Sequence, residues 1–73
     1  MTYPSINDVE SAGHEEICYW YRFLPSPGLR RVGCDDFDAV MTLEAATMTR
    51  IAERLRLFGG FTAEISKRIG WDQ

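Results

Sequence analysis

The run Pro25-Ser26-Pro27-Gly28 constrains this 73-residue chain more than any other feature, because it separates two stretches whose apolar residues both recur at helical spacing. Proline fixes φ, has no amide donor and pushes the residue before it out of the α region, so no helix runs through the segment. On the N-terminal side Ile17, Trp20, Tyr21 and Leu24 fall at i, i+3, i+4 and i+7, which is one face of a helix. On the C-terminal side Phe37, Met41, Met48, Ile51, Leu55 and Phe58 step mostly by three, four and seven. No run of five residues alternates apolar with polar, and no Asn-Gly or Asp-Gly hairpin turn occurs. The chain is therefore predicted to be all-α.

Cap and breaker residues set the expected boundaries. Ser11 offers an N-cap, Glu15 and Glu16 suit the positive end of the helix dipole and Arg22 the negative end, which gives a first helix over Ser11 to Leu24. Leu29 to Asp35, with Arg30, Arg31 and Gly33, is an irregular connector longer than a simple helical hairpin needs. A long helix over Asp36 to Phe58 follows, closed by Gly59 and Gly60. Its apolar rhythm is interrupted at Glu44, where either Leu43 and Ala45 take over the contact or the helix bends. Thr62 caps a short third helix over Ala63 to Ile69, with Gly70 at its end and Trp71 expected to fold back on Ile65. Residues 1 to 10 lack a sustained period and read as a mobile or loosely docked arm, with Ile6 and Val9 able to touch the core. Residues 11 to 73 then form a single three-helix domain, in which a shorter and a longer helix pack antiparallel and the third caps them.

Size and charge bound the function. A domain this small buries only about 60% of the surface its unfolded chain exposes, which leaves little room for a deep catalytic cleft beside a core. An enzyme is not expected, and neither is a cofactor. Eleven acidic against eight basic residues give a net charge of −3, which disfavours tight nonspecific binding to nucleic acid or anionic membranes. The charge is uneven, with residues 1 to 49 at −5 and residues 50 to 73 at +2. No signal-like segment and no apolar run of about 18 residues appears, so a cytoplasmic protein without a membrane partner is expected. In that compartment Cys18 and Cys34 are reduced thiols; bridged in an oxidising one, they would close a loop worth about 3 kcal/mol.

The densest chemical feature is the cluster Tyr19, Trp20, Tyr21 and Phe23. Successive helix positions turn by about 100°, so these rings cannot all face one core. One reading buries Trp20 and Tyr21 and covers Tyr19 and Phe23 with the N-terminal arm or the connector. The other makes Tyr19, Arg22 and Phe23, with Arg30 and Arg31 of the connector, a surface for a protein partner or for self-association, because Trp, Tyr and Arg dominate interface hot spots. An alternative uses the basic C-terminal half on nucleic acid, with Arg50, Arg54, Lys67 and Arg68 on phosphates. His14 and Cys18 at i, i+4 have the spacing of half a zinc site, which Cys34 with Asp35 or Asp36 would have to complete; no metal site is expected. Glu44 alone makes no catalytic pair, and Glu53 with Arg50, Arg54 and Arg56 reads as a solvated face.

Two resemblances add to this reading. The stretch from Thr62 to Trp71 resembles the first helix and turn of a helix-turn-helix motif, but only Asp72 and Gln73 follow, too few for a recognition helix. The segments Glu16 to Gly28 and Gly59 to Trp71 resemble the two ends of small uncharacterised proteins encoded by bacteriophages and prophages. That resemblance implies an accessory product acting in the host bacterial cytoplasm by binding a host protein, and it supplies no functional residues.

Overall fold

A computed structural model describes residues 2–70. Four α-helices and one 3-10 turn follow one another: α1 (Ile6–Ser11), α2 (His14–Phe23), the turn Leu29–Arg31, α3 (Phe37–Leu57) and α4 (Ala63–Arg68). The all-α class read from periodicity is the class observed, with no strand among the described residues.

The N-terminal segment differs from its expectation. Instead of an arm without regular structure, residues 6 to 11 form a helix whose N-cap, Ser5, makes a capping box: its hydroxyl accepts from the Asp8 amide, and the Asp8 carboxylate accepts from the Ser5 amide. Val9, the one apolar residue this helix turns inward, is fully buried. The helix predicted over Ser11 to Leu24 is α2, which starts three residues later, at His14, and Ser11 ends α1 rather than capping α2. Ala12 adopts an extended conformation, and Gly13, also extended, is the N-cap of α2. At the other end Leu24 is extended, as the following proline requires, and its amide still donates to the Trp20 carbonyl.

α3 passes Glu44 without a break. Its N-cap Asp36 makes no capping hydrogen bond, because its carboxylate is taken by Arg31, at 2.7 and 3.1 Å. The far end is a Schellman turn: Gly60 donates to the Leu55 carbonyl at 2.8 Å and Gly59, at φ +97°, donates to Arg56 at 3.0 Å. Thr62 caps α4 by accepting from the Ile65 amide at 3.1 Å. The predicted contact of Trp71 with Ile65 lies outside the described residues.

His14, at the start of α2, meets Gly60 and Phe58 beyond the end of α3, whereas Gly28, just past the end of α2, approaches Phe37 and Met41 at the start of α3. The two helices therefore run antiparallel. Between them lies a core of Val9, Ala12, Ile17, Cys18, Leu24, Ile51, Leu55 and Ile65, with Trp20, Met48, Phe61 and Ile69 packed at its edge. Thr47 is the buried polar residue, and its hydroxyl donates to the Leu43 carbonyl at 3.0 Å, one turn back. Tyr21, counted inward by spacing, is exposed; it lies in the last turn of α2, where its ring meets Phe61 edge-on.

The protein is flat, 41 × 26 × 15 Å, with a radius of gyration of 13.0 Å. A compact globule of this length has a radius near 11 Å. Helix axes pack about 8–10 Å apart, so a 15 Å depth holds no more than two helices and each keeps an outward side.

Candidate protein-binding surface

α2 is the element that displays aromatic side chains. With Ile17, Cys18 and Leu24 inward, the 100° turn per residue sends positions 15, 19, 22 and 23 to the opposite side. Tyr19 and Phe23 are 39% and 38% exposed and lie in ring contact at 4.9 Å. The Arg22 guanidinium sits over the Phe23 ring, 5.2 Å from its centroid. Tyr21 points to another side, where it meets Phe61 edge-on at 6.0 Å. Neither the N-terminal segment nor the connector covers Tyr19 and Phe23 fully, which leaves an aromatic surface with a cation on it.

From Tyr19 the surface continues towards the start of α2 as an open groove of about 680 Å³, lined by Gly13, His14, Glu15, Glu16, Tyr19, Arg68 and Ile69. Arg68 crosses from α4 to Glu15 at 2.9 Å and also engages Glu64 on its own helix. Glu16, also in the lining, makes no ion pair among the described residues. Ile69 and Gly13 were not singled out from the sequence; they join the surface because α4 folds back beside the start of α2.

Arg30 and Arg31 lie in the connector. They form the 3-10 turn, which packs on α3, and Arg31 is engaged by Asp36. The four cations considered for phosphate contact are mostly occupied. Arg50 is held by Glu10 and by Glu53, the latter at 3.3 Å, and this pairing raises its pKa. Arg54 donates to the Ala12 carbonyl at 3.0 Å, lies over the Phe58 ring at 5.2 Å and approaches Glu10 at 3.8 Å. Arg68 is paired as above, and Lys67 is exposed. Binding a phosphate backbone with Arg50, Arg54 and Arg68 would require opening these contacts.

His14 and Cys18 do converge, but on a carbonyl. His14 Nε2 lies 2.6 Å from the Gly60 oxygen, so that nitrogen carries the donated proton, and the ring stacks on Phe58 at 5.0 Å and 10°. Cys18 Sγ lies 3.9 Å from the same oxygen. Burial, helped by the Glu15 charge, raises the Cys18 pKa and suppresses its thiolate. Cys34 is exposed on the connector, and both cysteines are free. No group of three metal-ligating side chains occurs among the described residues. Glu44 is half-buried and accepts from the Gly28 amide at 2.9 Å, a structural contact at the mouth of the connector.

No described helix is long and apolar enough to cross a membrane. Comparison of the chain with protein-family models, with curated proteins and with solved structures gave no match.

Proposed function

We propose that this protein is a small non-enzymatic binding module whose outer α2 surface, Tyr19, Arg22 and Phe23, engages a protein partner. The observation that carries the reading is the Tyr19–Phe23 ring pair, about two-fifths exposed on each side and bearing a guanidinium. Aromatic and Arg side chains held rigidly against one another lose little entropy on binding and bury a large area, which is what an interface anchor requires. Arg30 and Arg31 are left out of the core of this surface, since their turn packs on α3 and Arg31 is engaged by Asp36. The likeness of the two terminal segments to phage and prophage products supports a host protein or a second copy as the partner.

The test is site-directed photo-cross-linking in the native host. A benzophenone side chain at position 19 is expected to form adducts, and one at the exposed position 53 is not. Tyr19→Ala together with Phe23→Ala should abolish partner affinity while the helical signal is retained. Equal cross-linking at the two positions, or unchanged affinity in the double variant, would reject the surface.

A further inference from the structure

With α2 taken as the protein-binding element, the groove at one end of its surface says what kind of segment it accepts. At 100° per residue, positions 16, 19 and 23 fall within about 60° of one another, so Glu16, Tyr19 and Phe23 form one stripe along α2. Glu15 and Arg22 stand beyond Tyr19, on the other flank. The groove is acidic: the Arg68 guanidinium in its lining is engaged by both Glu15 and Glu64, and Glu16 adds a further carboxylate that makes no ion pair among the described residues. Glu16 and Tyr19, at i and i+3, are neighbours on the helix surface. The Tyr19 ring, 39% exposed, is open to a partner.

We infer that the occupant is a basic, apolar segment of a partner protein, in which one Lys or Arg lays its carbon stem across Tyr19 and brings its charge to Glu16. An apolar side chain further along the segment packs on Phe23. A Lys or Arg side chain has an apolar stem and a charged head, so it matches a ring and a carboxylate placed side by side. Phe23 displays the same chemistry within the chain, since the Arg22 guanidinium lies 5.2 Å from its centroid. Arg22 is six residues from Glu16, about 9 Å along the axis, so its charge falls at the opposite end of the stripe from the incoming cation. Phosphate groups and acidic segments carry the wrong sign for a groove holding Glu15, Glu16 and Glu64.

Peptide binding followed by fluorescence anisotropy tests this. The probe is a short dye-labelled peptide of Leu, Ala and Arg, compared with one in which Glu replaces Arg and one in which Ser replaces Leu. The first is expected to bind and the other two are not. Glu16→Gln should weaken binding about two- to fivefold, and Glu16→Lys at least about tenfold. Asp38→Asn removes an exposed carboxylate at the start of α3, far from the groove, and should leave binding unchanged. Circular dichroism establishes that each variant is folded. No binding of the basic apolar peptide at millimolar concentration, equal binding of the Glu peptide, or equal weakening by Asp38→Asn would overturn the inference. In the native host, the segment cross-linked to position 19 should contain Lys or Arg beside an apolar residue, and Glu16→Lys should suppress the adduct. An adduct on an acidic segment or on a second copy of this chain, undiminished by Glu16→Lys, rejects the basic occupant and leaves the binding surface standing. If position 19 captures nothing, both fail.

Discussion

Gly28→Ala is the substitution whose cost the structure specifies most closely. Gly28 has φ +78°, a left-handed conformation that costs an L-residue about 1–2 kcal/mol. It also sits against α3: a Cβ there would lie 2.9 Å from Met41 Cβ, 3.0 Å from Phe37 Cε1 and 3.1 Å from Met41 Cγ. Met41 Cβ is anchored to the helix backbone and cannot swing aside, so the connector must lift, at a cost typical of overpacking, about 1–3 kcal/mol. Lifting also strains the hydrogen bond from the Gly28 amide to Glu44. The sum, about 2–5 kcal/mol, is a large share of the roughly 4–11 kcal/mol expected for a domain of this length. Gly33→Ala is the control, since Gly33 has φ +84° and no neighbouring atom within 4 Å, and it should lose the conformational part alone. Urea unfolding followed by circular dichroism, with equal slopes for the variants, measures the difference. Gly28→Ala should be less stable than Gly33→Ala by about 1–3 kcal/mol, or roughly 4–8 °C in Tm for each kcal/mol. If the two agree within about 0.5 kcal/mol, the close approach of the connector to α3 is not present in solution.

Four further outcomes are expected. Ile51→Ala, at a fully buried position of α3, should destabilise by about 2–5 kcal/mol, whereas Leu43→Ala, on the exposed side of the same helix, should change stability by about 0.5 kcal/mol or less; equal losses in chemical unfolding would contradict the assigned inward face. One thiol should react rapidly with a maleimide in the native protein, and mass spectrometry should place it at Cys34, with Cys18 following only on unfolding; rapid labelling of Cys18 would show that its burial is wrong. The Arg50 guanidinium lowers the Glu10 pKa, so the pair's contribution is complete above the unfolded carboxylate pKa and is lost as pH falls through the lower folded value; Glu10→Gln should flatten stability against pH in that acidic range. Tyr19→Ala and Phe23→Ala should each leave the unfolding midpoint nearly unchanged while association is lost, since both side chains lie on the outer side of α2.

Much of the fold was written in spacing and punctuation. The period of Phe37 to Phe58 and its double glycine gave α3 to within a residue at each end, and Thr62 gave α4 its start. The break at Ala12 and Gly13 was harder to see, because it contains no proline and α1 turns only Val9 inward, too little for a period. Its cap was visible nonetheless, as Ser5 followed three residues later by Asp8. Tyr21 was misplaced for a different reason. It stands at i+4 from Ile17 and i+3 from Cys18, so spacing places it inward, yet in the last turn of α2 its ring meets Phe61, beyond α3, and stays exposed, a contact that no local pattern announces. At the surface, the outward course of Tyr19 and Phe23 follows from their place opposite Ile17. Where Arg30 and Arg31 come to rest depends on the path of the connector, and the pairing of Arg31 with Asp36 is set by that path rather than by a helical period. The groove beside α2 is likewise a product of α4 returning to it across fifty residues of chain.

The long-range polar ties have a consequence for biosynthesis. Glu10 is joined to Arg50, the Ala12 carbonyl to Arg54, His14 to Gly60 and Glu15 to Arg68, across 40 to 53 positions of sequence. A ribosome adding roughly 5–20 residues per second delivers the first member of each tie several seconds before the second exists. Throughout that interval Val9, Ile17 and Leu24 have nothing to pack on, and the aromatic side of α2 is bare as well. Nascent chains halted before Arg50 should therefore be open to protease and to chaperones along their whole length, and protection should arise in one step once α3 and α4 have emerged.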